Sequence, residues 1–174
     1  MYTESIIELI INKSIEYRNL TQNDDYYTDY YSLNRLLYIA HGITLALYNR
    51  NLIDANILAT SIGPRVEEAD YIFLDWGANQ IGEVYNPIPA PPEFMDIIDI
   101  VVKHFGTMDR FELGYLCKQH PYFNKSLKRG DIHIVQNDEI KNYFLSKDVS
   151  SIMGDYHIMK PNVNLRLILT NKKQ

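Results

Sequence analysis

The chain of 174 residues is long enough for one domain, and its 46% of apolar residues can form a buried core. A net charge of −5 argues against a protein that coats nucleic acid through charge, so a nucleic-acid partner is not expected. The one cysteine cannot form an internal disulfide, and no stretch approaches the ~18 apolar residues of a membrane span, so we expect a cytoplasmic protein without a membrane partner.

The N-terminal segment has helical periodicity. Ser5 and Glu8 have the spacing of a capping box, in which the two residues satisfy each other's free backbone N–H groups. Isoleucines follow at helical spacing, at Ile7, Ile10, Ile11 and Ile15. They predict a helix over 5–18, and the acidic, tyrosine-rich stretch 21–31 is then typical of a loop.

Segment 33–48 predicts the central helix of a bundle, because it is apolar on several sides. Leu36 and Leu37 are expected in its core-facing stripe. Gly42 lowers helix stability by roughly 1 kcal/mol relative to alanine, so we expect that it lets a neighbouring helix approach closely. The polar residues from Asn49 onwards are expected to end the helix.

Proline and glycine divide the middle of the chain. Residues 53–60 are interpreted as a short apolar connector. Pro64 suits the first position of a helix, where its missing N–H is no loss, and that helix is expected to end at Gly77. The proline-rich segment 86–92 predicts an extended strap, for which a structural role and an SH3-type ligand are alternatives.

Three more helices are predicted in the second half of the chain. Pro92 begins a helix whose apolar periodicity continues to Phe105. Asp109 suits the cap of a short helix that stops at Pro121, and Asn137 suits the cap of a later one.

Two segments have the character of strands. Residues 132–135 are short and β-branched, and residues 163–169 alternate between apolar and polar side chains. The two are candidates for pairing with each other. The predicted fold is therefore mainly α, a compact helical bundle around helix 33–48 with short strands near 132–135 and 163–169.

The residues that carry chemistry are scattered. Cys117 and His120 form one Cys-x-x-His pair without a second pair nearby, whereas a structural zinc site normally has four ligands. The apolar stripe points Cys117 inward, and His41 is interpreted as a core or edge histidine. We expect no metal, no cofactor and no catalytic residue, so the chain is not predicted to be an enzyme. A hydrolase or nuclease that uses His41 or His120 with an aspartate is the alternative.

The central helix and the segment after it carry a recognisable pattern. It consists of Leu33, Leu36, Leu37, Tyr38, Ala40 and Gly42, followed by Gly63 and Pro64. The pattern resembles the Panacea domain, a family that includes the SocA-like antitoxins and the GepA-like phage-associated proteins. Arg65 lies between Pro64 and Val66, where the family's usual Gly-Pro-Val has no residue, so the chain looks like a divergent member.

The resemblance implies a fold and a kind of function. Residues 1–145 would form a Panacea-like helical domain in which the motif residues are structural, and 146–174 a C-terminal extension packed on it. The family implies an antitoxin that neutralises a partner toxin by direct binding or as an adaptor for a protease. The alternative is a phage or mobile-element protein that binds a host protein to modulate or counter host defence.

The tyrosine-rich stretch before the central helix is the candidate partner-binding surface. Tyrosine offers a large, rigid contact area, and neighbouring aspartates would steer a basic partner towards it. The site residues predicted on this basis are Tyr26, Tyr27, Asp29, Tyr30 and Tyr31. The alternative is that the rings lie back on the core.

Overall fold

The computed structural model describes residues 3–82, 87–124 and 127–146, and it confirms a mainly helical fold with short strands. The elements in chain order are α1 (Thr3–Thr21), α2 (Tyr30–Tyr48), β1 (Ile57–Thr60), β2 (Gly63–Val66), α3 (Glu67–Phe73) with a 3₁₀ turn (Leu74–Trp76), α4 (Pro92–Phe105), α5 (Arg110–Cys117), α6 (Pro121–Asn124), β3 (His133–Val135) and α7 (Asn137–Phe144). In the part of the chain described, no helix combines the length and apolarity needed to cross a bilayer.

Helix α2 is the central element that the sequence predicts. Every residue from Ser32 to Leu47 is buried. The helix begins one turn earlier than expected, because Asp29 caps it: the Asp29 carboxylate accepts a hydrogen bond from the Ser32 backbone at 2.7 Å. It ends at Asn49, whose φ of 52° lies in the left-handed region.

Gly42 allows the close approach that the sequence predicts. A Cβ atom at this position would overlap the ring of Phe144, which lies on α7. Phe144 also packs edge-on against Tyr38, with ring centroids 5.4 Å apart. The closing helix therefore covers α2 through an aromatic ring that needs a glycine beneath it.

The sheet lies beside α2 and has the strand order β2-β1-β3, with antiparallel pairing throughout. The connector expected at 53–60 ends in a strand, and the helix expected to start at Pro64 starts at Glu67 instead. Pro64 lies in β2 and pairs with Ala59 of β1. Because β2 is an edge strand, it tolerates a residue without an N–H group. Gly63, with φ of 111°, provides the tight turn between the two strands.

The predicted elements of the second half are largely confirmed. Helix α4 starts at Pro92 and ends at Phe105, and the candidate strand 132–135 is β3. It pairs with β1, through Ile57 opposite Val135. The candidate strand 163–169 and nearly all of the extension 146–174 lie outside the described residues.

Candidate protein-binding site

Two of the predicted partner-binding tyrosines belong to the core. Tyr26 is buried and stacks on Tyr17, with ring centroids 5.5 Å apart. Tyr30 is buried in the first turn of α2, where its hydroxyl donates to Asp70 and accepts a hydrogen bond from Arg65 Nε at 3.1 Å. For these two rings the alternative interpretation, packing on the core, describes what the structure shows.

Tyr27 and Tyr31 remain at the surface. The side chain of Tyr27 is 40% exposed, and its hydroxyl donates to the Ala78 carbonyl at 2.8 Å. Tyr31 is half-buried, and the guanidinium carbon of Arg110 lies 5.8 Å from its ring centroid. Both rings are fixed in place before any partner arrives, which lowers the entropy cost of binding.

Asp29 is buried rather than offered to a partner. Besides capping α2, its carboxylate forms an ion pair with Arg110 at 3.1 Å. The pair joins the loop before α2 to the first residue of α5. Asp29 therefore organises the surface that Tyr27 and Tyr31 form.

A groove of about 410 Å³ runs between this loop and the start of α5. Its walls are Asp24, Asp25, Tyr27, Asp29 and Ser32 on one side and residues 107–111 on the other. We call it the acidic groove. Asp24 pairs with Arg18 at 3.0 Å, and the exposed Asp25 and Asp109 carry no counter-ion among the ion pairs of the described residues.

Next to the groove stands a ridge of exposed apolar side chains that the sequence analysis did not single out. Phe111 and Tyr115 are each 73% exposed on the outer face of α5, and Ile62 is 46% exposed in the turn between β1 and β2. We call these three residues the apolar ridge. The pattern of α5 could have revealed two of them, because a helix that buries Leu113 and Cys117 turns Phe111 and Tyr115 outward.

The family-motif residues have structural roles. Leu33, Leu36, Leu37, Tyr38 and Ala40 are all buried within α2, and Gly42, Gly63 and Pro64 shape the contacts described above. Arg65 follows Pro64 in β2 and joins Tyr30 and Asp70 in one partly buried polar network. The motif thus supports the scaffold on which the groove and the ridge lie.

The histidines and the cysteine that could carry chemistry lie in the interior. Burial raises the pKa of the Cys117 thiol to about 12 and lowers the pKa of His120 to about 4. His41 is a core histidine, as interpreted from the sequence: Nε2 contacts the Asn137 side chain at 3.0 Å, and Nδ1 accepts a hydrogen bond from Ile53 at 3.4 Å. Within the described ranges, no three His, Cys, Asp or Glu side chains are grouped so that they could hold a metal ion.

Comparison with protein-family models, with curated proteins and with solved structures finds no match for the chain.

Proposed function

We propose that the protein is a protein-binding module of the antitoxin type, which captures one protein partner on the apolar ridge and the acidic groove. The observation that carries the proposal is the ridge, where two aromatic rings and an isoleucine project from a rigid scaffold into solvent. Exposed aromatic side chains clustered in this way favour a protein interface, because aromatic residues dominate the binding energy of such contacts.

The acidic groove supports a partner with a basic segment. Asp25 and Asp109 are exposed on opposite walls, and Tyr27 supplies an aromatic face on the wall of Asp25. A lysine or arginine side chain that enters the groove would meet carboxylates at its charged end and a ring along its stem. Such charges increase the rate of encounter more than the final affinity, and salt weakens the effect.

The sequence resemblance supplies the biological role in this proposal. By analogy with Panacea antitoxins, binding neutralises a partner toxin, either by blocking it directly or by presenting it to a protease. Both mechanisms need the same first step, which is a stable complex between this chain and the toxin.

The proposal is tested with the product of the neighbouring gene. The two proteins are co-expressed to measure rescue of growth, and their affinity is measured by calorimetry for the parent and for the double variant Phe111→Ala with Tyr115→Ala. The double variant should weaken binding by at least about 2 kcal/mol, since hot-spot aromatic residues contribute this much. Its melting temperature should stay close to the parent's, because both side chains are exposed.

Tyr71→Ala is the matched control, because Tyr71 is also an exposed tyrosine on a helix but lies on α3, outside the ridge. It should bind as the parent does. Equal affinity of the parent and the double variant would remove the ridge from the interface. Absence of both binding and rescue would contradict the antitoxin role, and recovery of a host protein on the ridge would favour the host-binding alternative.

A further inference from the structure

Among the residues that the structure describes, Arg35 is a buried cation without a direct counter-ion. It lies in the second turn of α2 and is 8% exposed. Its Nη2 donates to the Ile62 carbonyl at 2.6 Å, whereas its Nε is buried without a hydrogen-bond partner. Nη1 is neither hydrogen-bonded nor among the buried unpaired atoms, so this nitrogen is the part of the guanidinium that reaches solvent.

Two glycines flank the guanidinium, so no Cβ atom lies against it at either position. Cβ atoms at Gly63 and Gly114 would lie 3.7 and 3.2 Å from Nε. Gly63 belongs to the turn that carries Ile62, and Gly114 lies between Phe111 and Tyr115 on α5. The guanidinium of Arg35 is therefore at the foot of the apolar ridge.

The charges around Arg35 do not balance. Of the described residues, the carboxylate that acts on Arg35 is that of Asp29, and Asp29 is already paired with Arg110 at 3.1 Å. Cys117 also faces Arg35, but burial raises its pKa to about 12 and it stays an uncharged thiol at neutral pH. One carboxylate thus serves two guanidinium groups.

Such an imbalance is costly in a folded protein. A buried charge needs a partner of opposite sign, and an arginine cannot escape the cost by losing its proton. Burial lowers the pKa of Arg35, which reflects the same strain on its charged form. A carboxylate brought from outside would relieve this cost, because its two oxygens match the N–H groups of a guanidinium.

We propose that Arg35 is the anchor for a carboxylate side chain of the protein partner, which enters at the foot of the apolar ridge between Ile62 and Gly114. The apolar ridge around this cation favours a protein partner, whose acidic residue would be flanked by apolar ones. The assignment rests on the proposed protein-binding function and adds the chemistry of its central contact: a basic segment faces the acidic groove, and one acidic residue faces Arg35.

The first test needs no partner. The Nε–Hε signal of Arg35 in the full chain, assigned by its loss in Arg35→Lys, is followed by ¹H–¹⁵N spectroscopy during titration with sodium acetate at constant ionic strength. The signal should shift in a saturable way, while that of Arg50, an exposed arginine just beyond the other end of α2, should not. Parallel shifts of both signals, or none, would overturn the site. Inorganic phosphate that binds at least tenfold more tightly than acetate would overturn its assignment to a carboxylate.

The second test uses the partner. Arg35→Met should reduce the affinity for the neighbouring gene product at least tenfold without lowering the melting temperature, because it removes a buried charge that the free protein does not neutralise. Arg50→Met makes the same change in net charge and should bind as the parent does. If the parent binds its partner and Arg35→Met binds equally well, the protein-binding function stands and the anchor is excluded. If the parent binds no partner, the function fails, and the acetate titration alone decides whether Arg35 holds an anion.

Discussion

Helix α2 makes two close contacts through glycine, and they differ in completeness. Towards its C-terminal end, Gly42 receives the ring of Phe144, and the two groups in contact are apolar and uncharged. Near its N-terminal end, the Arg35 guanidinium packs against Gly114 and keeps an unpaired Nε. The first contact needs no charge to complete it, whereas the second has no negative charge paired with it among the described residues.

Under the proposed function, this difference separates the part of the helix that serves stability from the part that would serve binding. A contact between apolar groups that is complete within the chain is not stabilised further by a partner. A contact that leaves a buried charge unbalanced lowers stability, and it gains when a ligand supplies the missing charge. We therefore expect substitutions at the two contacts to affect stability and binding in opposite ways.

The largest effect on stability is expected at the contact between Gly42 and Phe144. Phe144→Ala removes a buried ring next to Gly42 and should lower the free energy of unfolding by about 3–5 kcal/mol, measured by urea denaturation. Gly42→Ala should also destabilise the parent, because its methyl group would overlap the ring. In the Phe144→Ala background, Gly42→Ala should instead be neutral or stabilise the helix by up to about 1 kcal/mol. Additive effects of the two substitutions would contradict direct packing between these residues.

A smaller effect is expected at Asp29, which links the two regions of the surface. Asp29→Ala removes the cap of α2 and the ion pair with Arg110, and we expect a loss of about 2–4 kcal/mol. Asp29→Asn is the matched control, because asparagine is as good a cap but carries no charge. If the Asp29→Asn variant were as stable as the parent, the carboxylate would not be needed between Arg110 and Arg35.

Removing a cap at the edge of the acidic groove should lower stability less. The Asp109 carboxylate accepts hydrogen bonds from the backbone of Phe111 at 2.7 Å and of Glu112 at 2.8 Å. Asp109→Ala should therefore lower the free energy of unfolding by about 1 kcal/mol, with Asp109→Ser recovering most of the loss. A cost near that of Phe144→Ala would show that α5 is as central to the fold as α7.

The last of these effects concerns the pH dependence of stability near the contact between Gly42 and Phe144. His120 packs against the Tyr38 and Tyr143 rings, and burial lowers its pKa from 6.5 to about 4. The unfolded chain therefore binds a proton more readily, so this histidine's contribution to stability is complete above pH 6.5 and is lost as the pH falls towards 4. His120→Gln should flatten the pH dependence of the melting temperature across this window. An unchanged profile would show that other groups set the acid sensitivity.

Much of the fold could be predicted from local signals in the sequence. The unbroken apolar periodicity of α2 and α4 predicts that both segments are helices. Gly42 indicates a close approach by a neighbouring helix, and Asp109 has the spacing of a helix cap. The sequence places the start of α2 three residues too late, because the acidic, tyrosine-rich stretch around Asp29 is typical of a loop. The strand at Pro64 was missed because proline is compatible with both a helix start and an edge strand.

The candidate site was less accessible to prediction. Tyr26 and Tyr27 are neighbours in the chain, yet one ring is buried and the other exposed, and only the tertiary contacts with Tyr17 and Ala78 decide between them. The exposure of Phe111 and Tyr115 follows from the sequence pattern of α5. The unbalanced charge of Arg35 does not follow from any local pattern, because it depends on residues brought together from four separate elements.

The placement of Phe144 on Gly42 also has a consequence for biosynthesis. Translation proceeds from the N-terminus at roughly 5–20 residues per second, so Phe144 is added on the order of 5–20 seconds after Gly42. During that interval the apolar face of α2 that α7 will cover is open on the nascent chain. The protein is therefore exposed to chaperones and proteases until nearly the end of the described sequence has left the ribosome, and ribosome-stalled chains that end before α7 should be degraded faster than chains that include it.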